Sequence, residues 1–134
     1  LEIDHIGIAA EDGEKLALLY EKHFGAQKSK KTENEDLGFT SQFIHFEKGK
    51  IEILQPMRMN SIIGRFLEKR GEGIHHISFR VNNLEKIVEF MGRDQYDFID
   101  TIQSYDGDGE KLKYIFLHPK CTNGILVELH EVIK

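Results

Sequence analysis

The chain has 134 residues, 40% hydrophobic and 31% charged, with a net charge of −5 and one cysteine. That length can bury one domain's core, and the composition is ordinary for a globular protein. Apolar runs of only a few residues exclude a membrane-spanning helix, and an acidic balance with no Lys/Arg block argues against a nucleic-acid partner. Cys121 stands alone and no basic-then-apolar export signal follows Leu1, so a reducing, cytoplasmic setting is expected.

Residues 2–9 alternate around Ile6 and Ile8 and predict a strand. Leu16, Leu19, Tyr20, His23 and Phe24 then recur at helical spacing, with Asp12 as N-cap and Gly25 as the stop. A weaker strand is expected over 26–30, ending in a charged loop over 31–36. The runs 39–47 and 50–57 predict a hairpin turning at Lys48-Gly49. A connecting helix follows over 61–71, placing Ile62, Ile63, Phe66 and Leu67 on one face. The pattern then restarts with a strand over 74–81. A helix capped by Asn82 and Glu85 comes next, ending at Gly92, and strands are expected over 98–102, 112–118 and 124–131. The run Asp106-Gly107-Asp108-Gly109 lacks the later ligands of a Ca²⁺ loop and reads as a turn. The predicted fold class is α+β: two pseudo-repeated βαβββ modules, about 1–58 and 73–134, in one domain whose curved mixed sheet cups a metal site.

Two motifs carry the duplication. Ile3-Asp4-His5-Ile6-Gly7-Ile8 is echoed by Ile74-His75-His76-Ile77-Ser78-Phe79, and Gly49-Lys50-Ile51-Glu52-Ile53-Leu54 by Gly124-Ile125-Leu126-Val127-Glu128-Leu129. The order is therefore His…Glu, then His…Glu again. Side chains alternate along a strand. His5 thus lies opposite Ile6 and Ile8, and His76 opposite Ile77 and Phe79. Glu52 is flanked by Ile51 and Ile53, and Glu128 by Val127 and Leu129. Each apolar set suits packing under a helix, with the imidazole or carboxylate turned away from it. A single strand histidine is more often a hydrogen-bonded core residue, and a single glutamate a solvent-facing one. Recurrence of the pair in matching contexts favours a shared site. Two imidazoles and two carboxylates, without a thiolate, suit one divalent ion: Co, Ni, Zn, Mn or Fe.

These motifs, with Gln55-Pro56, Ser61-Ile62-Ile63, Phe66-Leu67 and Phe116-Leu117-His118-Pro119-Lys120, resemble the vicinal oxygen chelate (glyoxalase/bleomycin resistance/dioxygenase) superfamily. The similarity covers essentially the whole chain and is greatest to methylmalonyl-CoA epimerases, then to glyoxalase I. It implies the metal ligands His5, Glu52, His76 and Glu128, with Glu128 also moving a proton. The implied activity is a metal-dependent isomerase that abstracts a proton alpha to a thioester carbonyl. Lactoylglutathione lyase is the alternative, and a non-catalytic small-molecule-binding protein the third reading. An acyl-CoA or glutathione adduct is the implied substrate, and a homodimer the implied assembly.

One departure bears on the reaction. Some epimerases carry a further glutamate on the strand before the hairpin, whereas Phe39-Thr40-Ser41-Gln42-Phe43-Ile44 has no carboxylate here. Ser78 and Arg80 share the His76 face and are candidate substrate contacts, with Gln55 and Arg65 behind them. His75 reads as a packed neighbour, and Lys120 as part of a solvated turn.

Overall fold

A computed structural model of the chain describes every residue except Asp108. The described residues form nine strands, three α-helices and one 3₁₀ turn. They divide into two compact units, His5–His75, and His76–Lys134 together with Leu1–Asp4. None of the helices is long and apolar enough to cross a membrane.

In the first module, β1 (Glu2–Ala9) leads to α1 (Gly13–Phe24), then β2 (Gln27–Lys28), β3 (Thr32–Asn34), β4 (Phe39–His45) and β5 (Lys50–Pro56). Asp12 caps α1 by accepting from the Lys15 N–H at 3.1 Å, and Gly25 ends it at φ 68°, where a side chain would be strained. Gly49 turns the β4–β5 hairpin at φ 88°. β5 pairs parallel with β1 and antiparallel with β4, and β4 also pairs with β2 and β3. The run 31–36, expected as a charged loop, therefore contains strand β3. Thr32, Glu33 and Asn34 find backbone partners in Ser41, Thr40 and Phe39, and that pairing overrides their polarity. Helix α2 (Ile62–Arg70) is capped by Ser61, whose hydroxyl oxygen accepts from the Gly64 N–H at 3.0 Å.

The second module repeats the order. β6 (Gly73–Arg80) leads to α3 (Leu84–Arg93), β7 (Phe98–Gly107), β8 (Glu110–Leu117), the 3₁₀ turn Pro119–Cys121 and β9 (Val127–Ile133). β9 pairs parallel with β6 and antiparallel with β8, and β8 antiparallel with β7. Each module thus places its last strand beside its first, as the duplicated motifs require. The strand expected over 98–102 runs on to Gly107 because its pairing with β8 resumes at Gln103 after a register shift. The expected turn Asp106–Gly109 includes Asp108, which lies outside the described residues.

The cap of α3 is a correction to the sequence reading. Asn83, not Asn82, is the N-cap, at φ 57°, a left-handed conformation that asparagine tolerates. The second capping group comes from across the fold. Glu131 accepts from the Leu84 N–H at 2.9 Å and the Asn83 N–H at 3.1 Å, whereas Glu85 binds Lys113 at 2.6 Å. The helix also passes Gly92 and ends at Arg93, with the Asp94 N–H closing on Phe90 and Met91 carbonyls. Those two amides, Leu84 first, hold the Glu131 carboxyl below the usual carboxylate range. A lowered folded value means its stabilisation is complete above the unfolded carboxylate range and is lost as pH falls through that lowered value. Glu131→Gln is expected to cost roughly 1 kcal/mol at pH 7 and much less near pH 3, read by chemical denaturation at both pH values.

Packing assigns faces of the strands. α1 covers Ile44 and Ile53, with Ile51 beside them, while α2 covers Ala9 and Leu54 through Ile63 and Leu67. In the second unit Leu84, Ile87, Val88 and Met91 of α3 gather with Phe79, Ile115, Leu117 and Leu129. Leu84 is fully buried at the start of α3. Leu84→Ala is expected to destabilise the protein by about 2–5 kcal/mol, in proportion to the cavity left, as measured by urea unfolding.

Candidate metal centre

Strand register shows how each imidazole comes to share a face with a carboxylate. In the first unit Gly7 is the cross-strand partner of Glu52, and His5 lies two residues before Gly7, so His5 and Glu52 project to the same side. In the second, Ser78 is the partner of Glu128, and His76 lies two residues before Ser78. Both sets face away from the apolar residues under α1 and α3, because Ile51 and Ile53, and Val127 and Leu129, take the alternate positions.

His5 is buried and its Nε2 lies 3.4 Å from Glu52 Oε1, while the Glu52 side chain keeps 15% exposure. Glu52 Oε2 accepts the Ser41 hydroxyl at 2.6 Å. Phe43, the β4 partner of Glu52, sets its ring edge-on to His5 at 5.2 Å between centroids. The second unit reproduces this arrangement. His76 is buried, and Glu128 Oε1 accepts the Ser78 hydroxyl at 2.6 Å. Phe116, the β8 partner of Glu128, meets the His76 ring edge-on at 6.3 Å. Each carboxylate is therefore oriented by one hydroxyl and backed by one aromatic ring, which is how outer groups commonly fix metal ligands. Tyr114, beside Phe116 on the same face, has its phenol pushed up by burial and then by the Glu128 charge.

A third buried histidine, His130, lies on this face with His76 and Glu128. Its Nδ1 lies 2.8 Å from Ser78 Oγ and 3.8 Å from Glu128 Oε1, and its Nε2 lies 4.0 Å from Asp4 Oδ2. Sequence reasoning missed Ser41, Phe43, Phe116 and His130. His130 was within reach, since it lies two residues past Glu128 and so shares its face by parity. The aromatic pair needed the register.

The weaker candidates have local roles. Gln55 Oε1 accepts the Gly13 N–H at 2.7 Å and so anchors the start of α1. Arg65 donates to the Asn60 carbonyl at 3.2 Å, and Lys120 pairs with Asp97 at 2.6 Å. His75 stacks edge-on against Phe66 at 4.9 Å, as expected of a packed neighbour. Arg80 lies on the His76 face opposite His130 in register.

The mitochondrial methylmalonyl-CoA epimerase of Dictyostelium discoideum is 34% identical over 131 residues, covering 97% of this chain and 78% of its own. The ethylmalonyl-CoA/methylmalonyl-CoA epimerase of Cereibacter sphaeroides is also 34% identical, covering 97% of both chains. A solved methylmalonyl-CoA epimerase in complex with methylmalonyl-CoA and NH₄⁺ superposes with a TM-score of 0.86 at 27% identity, over 97% of this chain and 93% of that one. Residues 4–116 match the family model of the glyoxalase/bleomycin resistance protein/dioxygenase superfamily, and the chain belongs to that superfamily.

Proposed function

We propose that the chain is an epimerase that interconverts the 2R and 2S forms of methylmalonyl-CoA, using one divalent metal ion held by His5, Glu52, His76 and Glu128. The observation that carries the reading is the duplicated constellation, a buried imidazole and a hydroxyl-oriented carboxylate on one face of each module. The donor chemistry fits the ion: His5, Glu52 and His76 form a nitrogen and oxygen set able to hold a metal, and Glu128, which is not in that group, would supply a second carboxylate to balance a dication. Sequence identity to acyl-CoA epimerases over nearly the full chain, and a related structure complexed with methylmalonyl-CoA, support the substrate class.

When bound, the ion would supply Lewis-acid stabilisation of negative charge on the thioester oxygen. The rest falls to the chain. Glu128, with Oε1 engaged by Ser78, takes the proton from the carbon alpha to the carbonyl, and a solvent water returns one to the opposite face of that carbon. Phe43 and Phe116 restrict water beside the two histidines. The reading extends to a homodimer in the cytoplasm, where the lone Cys121 stays reduced, and sedimentation of the metal-loaded protein tests the assembly.

One observation favours a second reading. β4 carries no carboxylate to serve as an acid or base on the opposite face of the substrate, and its Ser41 is engaged with Glu52. A lactoylglutathione lyase, which can return the proton from the same carboxylate, needs no such group. Assays of methylmalonyl-CoA and of the methylglyoxal–glutathione hemithioacetal, each with Co²⁺, Ni²⁺, Zn²⁺ and Mn²⁺, decide between them. Turnover of the CoA thioester is expected. Turnover of the hemithioacetal alone supports the lyase, and inactivity on both with every metal removes both readings.

A further inference from the structure

We infer that His130 is a positioning residue that acts through Ser78 to fix the Glu128 carboxylate, an inference that rests on the assignment of Glu128 as the proton-transfer group. Ser78 Oγ lies between two partners, Glu128 Oε1 at 2.6 Å and His130 Nδ1 at 2.8 Å. A hydroxyl has one proton to donate, and an ionised carboxylate has none. The Ser78 proton therefore goes to Glu128, and His130 must present an N–H at Nδ1 to the lone pair of Ser78. This holds whatever proton Nε2 carries. The direct Nδ1–Oε1 separation of 3.8 Å is too long for a hydrogen bond, so the serine is the link.

Burial gives the link its force. Ser78 is fully buried and His130 is 5% exposed, so water has little access to replace either partner. Both residues are also held by the backbone. Ser78 is opposite Glu128 and Arg80 opposite His130 in the parallel β6–β9 ladder, and the His130 carbonyl accepts the Val81 N–H at 2.8 Å. Leu129, between Glu128 and His130, is locked into the core beneath α3. In the first module Glu52 accepts from Ser41 of β4, whereas Glu128 accepts from a serine of β6 that a buried imidazole backs.

Two measurements test the inference. In the metal-free protein, long-range ¹H–¹⁵N correlation spectra of the histidine rings are expected to find Nδ1 of His130 protonated, with a resonance that moves in Ser78→Ala. In the metal-loaded enzyme, Ser78→Ala and His130→Leu are expected to lower kcat by about 10- to 100-fold with KM within about twofold. His130→Asn, whose amide nitrogen falls near the Nδ1 position, is expected to recover most of kcat, and His130→Gln is not. An unprotonated Nδ1 overturns the inference, as does a wild-type kcat in His130→Leu or equal recovery by Asn and Gln. Failure of the functional reading is separable, because a wild-type protein inactive on methylmalonyl-CoA would still give the ring-nitrogen result.

Discussion

Glu128→Gln is expected to lower kcat for methylmalonyl-CoA epimerisation by roughly 10²- to 10⁴-fold, the span associated with loss of a positioned general base. The substitution preserves shape. The glutamine carbonyl oxygen can still accept the Ser78 hydroxyl, which lies 2.6 Å from Oε1, and Val127 and Leu129 still pack toward α3. What disappears is the capacity to take a proton. The measurement is exchange of the alpha hydrogen for solvent deuterium at saturating metal, so that weakened ion binding does not masquerade as lost chemistry. Glu52→Gln is the control, since it keeps an oxygen donor beside His5 and leaves Glu128 untouched. Exchange in Glu128→Gln at the wild-type rate would remove the carboxylate from the reaction.

The α+β duplication was legible because two short motifs recur in the same order and each alternates with period two. His5, Glu52, His76 and Glu128 came from the recurrence of the motifs together with strand parity and the family resemblance, and register shows that each module's pair shares a face through Gly7–Glu52 and Ser78–Glu128. The mistakes have a common cause, which is contact between residues distant in sequence. Asn82 and Glu85 look like a capping box, but Glu131 arrives from β9, 47 residues after Leu84, and takes the α3 amides, leaving Glu85 to Lys113. The charged run 31–36 looks like a loop until β4 offers it backbone partners. Ser41 and Phe43 sat unnoticed in a stretch read for a missing carboxylate. Their roles depend on β5 running beside them in a register that a single sequence does not disclose. Strand periodicity locates a face, whereas cross-strand partners determine what that face does.

Removing metal with a chelator and restoring it should produce a large change in thermal stability. An ion that binds only the folded chain adds about 2.7 kcal/mol at one hundred times its dissociation constant. For a domain of this size that corresponds to a rise in Tm of roughly 10 °C. The rise should occur with Co²⁺, Ni²⁺, Zn²⁺ or Mn²⁺ and be small with Mg²⁺, which dehydrates reluctantly and disfavours imidazole. His5→Ala and His76→Ala should each abolish most of it. The quantity compared is the shift on adding metal, not Tm itself, because either alanine also loses packing: His5 meets Phe43 edge-on at 5.2 Å and His76 meets Phe116 at 6.3 Å. Phe43→Leu separates the two effects, since it removes the ring contact and leaves both donors of the first module. A full metal-induced shift in Phe43→Leu beside none in His5→Ala identifies the imidazole as a ligand. Shifts of equal size in wild type, His5→Ala and His76→Ala would mean that the ion binds elsewhere and that the duplicated histidines serve the core.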